Sequence, residues 1–140
     1  MATVSEIMIK NVIVASADYK IGMLEKMMEN KNIGHIFITD LNKLLGIVSD
    51  GDIKRRKSYL AGTDASNFRE EQTLNTTAHQ IMTRELLTLS PDSNIQEAID
   101  LLLKHDIHSI PICKEGNKLV GVVTSTDLLK YLKKLLSGEE

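Results

Sequence analysis

The chain has 140 residues, 42% apolar and 26% charged, with a formal net charge of −2. That balance is enough for an ordinary hydrophobic core and excludes a disordered chain; it also gives no bulk electrostatic pull toward nucleic acid or an anionic membrane. The one cysteine, Cys113, cannot form an internal disulfide, and with no tryptophan and 4% aromatics the chain lacks the makings of a base-stacking surface, so nucleic acid is not an expected partner. The apolar runs are too short to span a bilayer, and Met1-Ala2-Thr3-Val4-Ser5-Glu6 lacks the basic and apolar regions of a signal peptide, so no membrane partner and a cytoplasmic location are expected.

In chain order, Val12-Ile13-Val14 reads as a strand and Asp18 as a helix start, with Ile21, Leu24 and Met28 forming the apolar stripe of the helix. His35-Ile36-Phe37-Ile38 and Leu44-Leu45-Gly46-Ile47-Val48 form a hairpin around Asp40 to Lys43. A closing helix follows and is strongly basic, reading Ile53-Lys54-Arg55-Arg56-Lys57. From Ala61 to Ala78 the composition turns to Thr, Asn, Gly and Glu with little periodicity; part extends the helix and the rest is linker.

The plan then repeats. Leu86-Leu87-Thr88-Leu89 is a short strand ended by Ser90-Pro91-Asp92, and Ser93 with Gln96 has capping-box spacing. Ile95, Ala98, Ile99 and Leu102 make a helical stripe; Ile110-Pro111-Ile112-Cys113 and Leu119-Val120-Gly121-Val122-Val123 pair across a turn at Lys114 to Asn117. A last helix from Thr124 has Leu128, Leu132, Leu135 and Leu136 as its expected buried face. The repetition is visible residue by residue. Ile7-Met8 returns as Ile81-Met82, Ser16-x-Asp18 as Ser90-x-Asp92 and Ile36-x-Ile38 as Ile110-x-Ile112, all at an offset of 74. One residue further out of step, Asn42-Lys43-Leu44-x-Gly46-x-Val48 returns as Asn117-Lys118-Leu119-x-Gly121-x-Val123, and Asp52 as Asp127. The expected organisation is therefore a mixed α/β (α+β) chain of two β-α-β-β-α repeats related by a pseudo-twofold and packed through their sheets. Residues 1–60 and 79–140 are the repeats and 61–78 the linker, with function sought in the clefts between halves.

The chemistry concentrates where the second hairpin strand meets the closing helix. Gly46-Ile47-Val48-Ser49-x-x-Asp52-Ile53 matches Gly121-Val122-Val123-Thr124-x-x-Asp127-Leu128. Each can be a reciprocal helix cap and nothing more. The same groups also suit a nucleotide: a helix start attracts phosphate, a hydroxyl can join it, and an ionised aspartate one turn in can accept both hydroxyls of a ribose. The glycine would permit close backbone approach.

The repeat order and both Gly-h-h-Ser/Thr-x-x-Asp-h elements resemble the cystathionine-β-synthase-type (CBS) domain, and two in tandem over residues 4–136 resemble a CBS pair, or Bateman module. His105-Asp106-Ile107-His108-Ser109-Ile110-Pro111-Ile112 and Ser90-Pro91-Asp92-Ser93-Asn94-Ile95-Gln96-Glu97-Ala98 are typical spellings of the second repeat. Asp50-Gly51-Asp52-Ile53-Lys54-Arg55 is similar to the CBS tails of sugar-phosphate isomerases. The resemblance implies a regulatory module that senses energy state or a metabolite by binding an adenine nucleotide (AMP, ADP or ATP) or an S-adenosylmethionine-like compound, with repeat geometry as the signal and no cofactor. By position it implies Asp52 and Asp127 at ribose, Ser49 and Thr124 beside ribose or phosphate, and Ile36, Phe37, Ile38, Ile110, Pro111 and Ile112 with Ile13 and Leu87 as base walls. Lys10, Arg55 and Arg56 in one cleft, and Arg84 and Lys130 in the other, are the implied phosphate partners. The family often has proline where this chain has Phe37, so that ring is expected to alter one pocket. A homodimer is implied, with the leucine face from Leu128 to Leu136 and the helix around Met27 as its interface, and an unidentified effector protein to read the signal.

Other candidates carry blander readings. His105 and His108 are three apart, a metal-compatible spacing without further ligands, so no metal is expected. His35 and His108 are expected to be packed structural residues, Cys113 a core thiol, and Lys54 to Lys57 a solvated face; Met23, Met27 and Met28 suit a helix interface. No Ser-His-Asp or Cys-His set, Walker loop or dinucleotide fingerprint is present, so the chain is not expected to be an enzyme. Its ends read as those of a stand-alone protein. The competing expectations are a dimerisation module with vestigial clefts and a regulatory fragment of a sugar-phosphate isomerase or transporter.

Overall fold

The apolar spacing of residues 21–28 becomes the first helix of the computed structural model, which describes residues 2–61 and 75–138. Helix α1 spans Ile21–Lys31 and buries Ile21, Leu24 and Met28 on one side. Its N-cap is Lys20 rather than Asp18. Asp18 accepts a hydrogen bond from the Ser16 hydroxyl in the preceding turn, which Tyr19 N–H closes onto the Ser16 carbonyl, so the turn displaces the start of the helix. Asn32 ends the helix in the left-handed region, a conformation its short polar side chain tolerates.

Two compact units make up the chain, Ile13–Leu86 and Met1–Val12 with Leu87–Glu140. In the first, strand β1 is Val14–Ala15 and pairs in parallel with β2 (His35–Asp40); Val12 and Ile13, expected in that strand, precede it. β2 runs antiparallel to β3 (Lys43–Ser49), joined by Leu41 and Asn42, both at positive φ, as a two-residue hairpin turn with right-handed strand twist requires. Helix α2 (Asp50–Ala61) follows, and after residues 62–74, where most of the expected linker lies outside the described residues, a short helix α3 (Ala78–Ile81). Ala15, Ile21, Leu24, Ile36, Ile38, Val48 and Ile53 form the core. A 2.6 Å ion pair from Lys57 to Glu25 ties α2 to α1.

The second unit repeats the arrangement. Helix α4 (Ile95–His105) ends at Asp106 in the left-handed region, β4 (Ser109–Lys114) pairs with β5 (Lys118–Thr124), and α5 (Ser125–Leu136) closes it. The bulge between Ile38 and Thr39 recurs between Ile112 and Cys113. Val4, Ala98, Leu102, Ile110, Ile112 and Val123 are its core.

The opening segment of each repeat packs within the unit that holds the other repeat's sheet. Ile9 bridges Val122 on β5, and Thr83 bridges Ile47 on β3 in the equivalent way; Thr3 likewise bridges Asn94, and Thr77 bridges Lys20. Both straps start with the same cap, Thr3 N–H donating to Glu6 Oε2 at 2.6 Å and Thr77 N–H to Gln80 Oε1 at 2.8 Å. Val4 and Ala78 anchor the straps at full burial.

Several expectations need correction. The cap of α4 is Asn94, whose Oδ1 accepts Glu97 N–H at 2.9 Å; Ser93 instead turns back to accept Ser90 N–H. In the run 86–89 only Leu89 bridges β4, by Leu89 N–H to Pro111 O and Cys113 N–H to Leu89 O, and Leu87 is exposed. No residue of α5 is buried: Leu132 and Leu135 are each 47% exposed and Leu136 80%, because nothing among the described residues covers that side of the helix. Ile99 is exposed too, while Met28 belongs to the core rather than an interface. The turn at Lys114 to Asn117 is a short 3₁₀ turn with Gly116 at positive φ. Among the described residues no helix is long and apolar enough to cross a membrane.

Candidate functional site

Both Ser/Thr-x-x-Asp elements sit where a strand hands over to a helix, and both form the reciprocal cap that their spacing allows. In the first unit Ser49 N–H donates to Asp52 Oδ2 at 2.8 Å and Asp52 N–H returns a bond to Ser49 Oγ at 3.1 Å. In the second, Thr124 N–H donates to Asp127 Oδ2 at 2.8 Å and Asp127 N–H to Thr124 Oγ1 at 3.2 Å. The cap leaves one carboxylate oxygen, Oδ1, to be used otherwise. At Asp52 it is taken by Arg55, one turn along α2, in a close ion pair. At Asp127 no described residue bonds it.

Asp52, Arg55 and Arg56 line an open cavity of about 300 Å³ together with Ile81. The helix start brings the partial positive charge of α2 to the same place, although Asp50 N–H is spent on the Gly34 carbonyl and Asp52 N–H on Ser49 Oγ, so the cavity offers positive potential with one partly buried carboxylate in its wall. Gly51 keeps the first turn bare: a Cβ there would lie 3.4 Å from Arg55 Nη1 and 3.6 Å from Ser49 Oγ. Such a set can hold an anion beside a diol. Ile81 was not among the expected site residues, and neither was Gly51. The one signal for Ile81 was its recurrence with Ile7.

The other expected residues scatter by unit. Ile36, Ile38, Ile110 and Ile112 are fully buried in the two cores, so their side chains pack against the helices. Phe37 and Pro111 alternate to the opposite strand face and are buried as well; His35 shares that face with Phe37, ring edge to ring face at 5.5 Å between centroids. Burial lowers the pKa of His35 and raises that of Cys113. Ile13 is half-buried and Leu87 exposed. Lys10, expected with Arg55 and Arg56, lies in the unit of Asp127, and Arg84, expected with Lys130, lies in the unit of Asp52, where its guanidinium is 2.8 Å from His79 Nε2. Lys10 and Lys130 are exposed. No group of three or more His, Cys, Asp or Glu among the described residues could hold a metal ion; His105 ends α4 and His108 precedes β4, both exposed.

The close approach expected over the two glycines is made by the protein itself. A Cβ on Gly46 would lie 2.6 Å from the Thr83 carbonyl oxygen, and one on Gly121 2.6 Å from Met8 Sδ and 3.0 Å from the Ile9 carbonyl oxygen. The repeated Ile-Met pair is thus part of the strap that lies over the repeated glycine, a structural pairing and not a ligand contact.

The doubled strand-to-helix element, with its glycine, cap and strap, agrees with a comparison of whole sequences: the sequence model of the CBS domain matches residues 4–59 and again 78–134. The chain belongs to the CBS domain family. It is a tandem CBS pair with a mixed α+β fold. Among its relatives is the uncharacterised protein MJ1404 of Methanocaldococcus jannaschii, 30% identical over 143 residues that cover 96% of this chain and 33% of that protein. The arabinose 5-phosphate isomerase of Francisella tularensis is 26% identical over 103 residues, 74% of this chain and 28% of the isomerase. The chain therefore spans a third or less of either relative. The solved CBS domain pair of protein MJ0100, in complex with 5′-methylthioadenosine and S-adenosyl-L-methionine, matches with a TM-score of 0.76 at 26% identity and covers 96% of this chain and 98% of that one.

Proposed function

We propose that this CBS pair is a regulatory, non-catalytic module that binds adenosyl ligands at its two Ser/Thr-x-x-Asp helix starts. The observation that carries the reading is the cavity in which Asp52 shares a wall with Arg55, Arg56 and the start of α2. Asp52 and Asp127 accept ribose hydroxyls, while Ser49 and Thr124 stand beside ribose or phosphate. Arg55 and Arg56 in one unit, and Lys130 in the other, face the anionic part of an AMP-, ADP- or ATP-type ligand. The two adenosyl compounds bound by the MJ0100 pair support the ligand class. An effector protein reads the occupied state, as expected of a module whose relatives are mostly longer than itself.

Isothermal titration calorimetry against AMP, ADP, ATP and S-adenosylmethionine, with GTP as control, tests this. Saturable adenosyl binding is expected in the unmodified chain, and its loss by about tenfold or more in Asp52→Ala with Asp127→Ala. Each substitution also removes the carboxylate arm of a reciprocal helix cap while the hydroxyl arm stays, costing about 1 kcal/mol, so the double variant still folds. Undiminished binding in that variant would sink the assignment.

A second reading, association through one helical face, is favoured by a groove of about 380 Å³ between α4 and α5, lined almost entirely by apolar side chains including Ile99, Leu103, Leu129 and Leu132. The corresponding helices of the other unit are bridged by the Lys57–Glu25 pair instead. We assign the groove to a second copy of the chain.

A further inference from the structure

The two caps match in sequence and differ in how their hydrogen bonds are spent. At Thr124 the hydroxyl donates its proton to Asp127 Oδ2 at 2.9 Å, so that unit has committed its hydroxyl donor and keeps a carboxylate oxygen, Oδ1, with no partner among the described residues. At Ser49 the hydroxyl only accepts, from Asp52 N–H at 3.1 Å, and its proton has no acceptor among the described residues; here the carboxylate oxygen Oδ1 is taken by Arg55. One helix start therefore presents an acceptor and the other presents donors. The neighbouring positions sharpen the contrast. The residue corresponding to Arg55 is Lys130, which makes no ion pair with Asp127 among the described residues, the one corresponding to Arg56 is Tyr131, and bare Gly51 corresponds to Thr126. A neutral diol can bond Asp127 as it stands. At Asp52 it must compete with a guanidinium, unless the ligand brings an anion that draws Arg55 away.

Resting on the adenosyl-binding reading above, we propose that Arg55 is a specificity-determining latch: it makes the Asp52 site selective for phosphorylated adenosyl ligands, while the Asp127 site also accepts unphosphorylated ones. A phosphate entering the cavity receives Arg55, the Ser49 hydroxyl and the partial positive charge at the start of α2. The same movement releases Asp52 Oδ1 to the ribose. Arg55 is mostly exposed, so its pair with Asp52 is cheap to open once a better anion is present. A nucleoside without phosphate offers the guanidinium nothing in exchange.

Each site is isolated by removing the other aspartate, and adenosine and AMP are titrated by calorimetry. The Asp127→Ala chain is expected to bind AMP about tenfold or more tightly than adenosine, and the Asp52→Ala chain to bind the two within about threefold. Arg55→Met on the Asp127→Ala background is expected to bring the AMP-to-adenosine ratio down about tenfold, chiefly by strengthening adenosine relative to AMP. Thermal melts establish that each variant folds, and Asp127→Asn, which keeps a cap acceptor, replaces Asp127→Ala if that chain does not. Equal affinity for AMP and adenosine in the Asp127→Ala chain, or a ratio unmoved by Arg55→Met, overturns the latch while leaving adenosyl binding intact. No adenosyl binding by the unmodified chain overturns both.

Discussion

Replacing each conserved-in-repeat glycine by alanine separates what the two straps depend on. Neither Gly46 nor Gly121 has a positive φ, so alanine meets no backbone strain at either site, and only the space decides. At Gly46 the new methyl lies 2.6 Å from a backbone oxygen, Thr83 O, which itself accepts Ile47 N–H at 3.0 Å while Thr83 N–H donates to Ile47 O at 2.9 Å. Relieving the clash means moving the strap and stretching both bonds. Overpacking costs about 1–3 kcal/mol and each weakened backbone bond about 0.5–1.5, against about 0.4–1 returned by the stiffer unfolded chain, which nets to about 3 kcal/mol. At Gly121 the nearest atom is Met8 Sδ, the far part of a flexible side chain, and the backbone oxygen of Ile9 stands further off at 3.0 Å. Met8 Cγ, at 2.9 Å, must move with the sulfur, so the cost there is about 1 kcal/mol, the low end for overpacking. Thermal unfolding followed by circular dichroism should therefore place Gly46→Ala below Gly121→Ala by about 6–8 °C, and amide exchange at Ile47 and Thr83 should quicken in Gly46→Ala alone. Equal losses, or unchanged protection of those two amides, would refute the strap as the reason for the glycines.

Burial lowers the His35 pKa, so the folded chain resists a proton that the unfolded chain takes up near pH 6.5. The stability tied to a neutral His35 is complete above that pH and is lost as pH falls from there through the lower folded value; His35→Gln should flatten the melting temperature between pH 7.5 and 5.5, and an unchanged slope would assign the dependence elsewhere. Cys113 is buried with its pKa raised, so a disulfide reagent at neutral pH should modify it at least about a hundredfold faster in the denatured chain; similar rates would place the thiol at the surface. Leu129→Glu with Leu132→Glu should weaken self-association in sedimentation by more than about tenfold per site, given about 1.5–3 kcal/mol for burying each leucine. A chain that sediments as a monomer with or without the substitutions would end the association reading.

Much of the candidate site's local geometry was legible because its parts are local. The Ser/Thr-x-x-Asp spacing spans less than one helical turn, so the caps at Ser49 and Thr124 follow from neighbouring residues alone. The same local logic failed where two local bonds compete. Ser93 carries capping-box spacing, yet it closes the turn at Ser90 and Asn94 caps the helix, a choice settled by one residue of register. The leucines of α5 keep a helical period whether or not anything covers them, so periodicity marked an apolar face and was silent on its partner.

By itself the sequence determined the duplication, the order of elements within each repeat, the two capped helix starts and the family, since all of these are written in short-range spacing that recurs at a constant offset. Only the tertiary structure decided that each repeat's opening strap docks on the other repeat's sheet, that Gly46 and Gly121 make room for those straps, and that Arg55 occupies Asp52 while no described residue takes the second oxygen of Asp127. These depend on which distant surfaces meet and on which of several donors reaches a given oxygen, and no spacing along the chain encodes either.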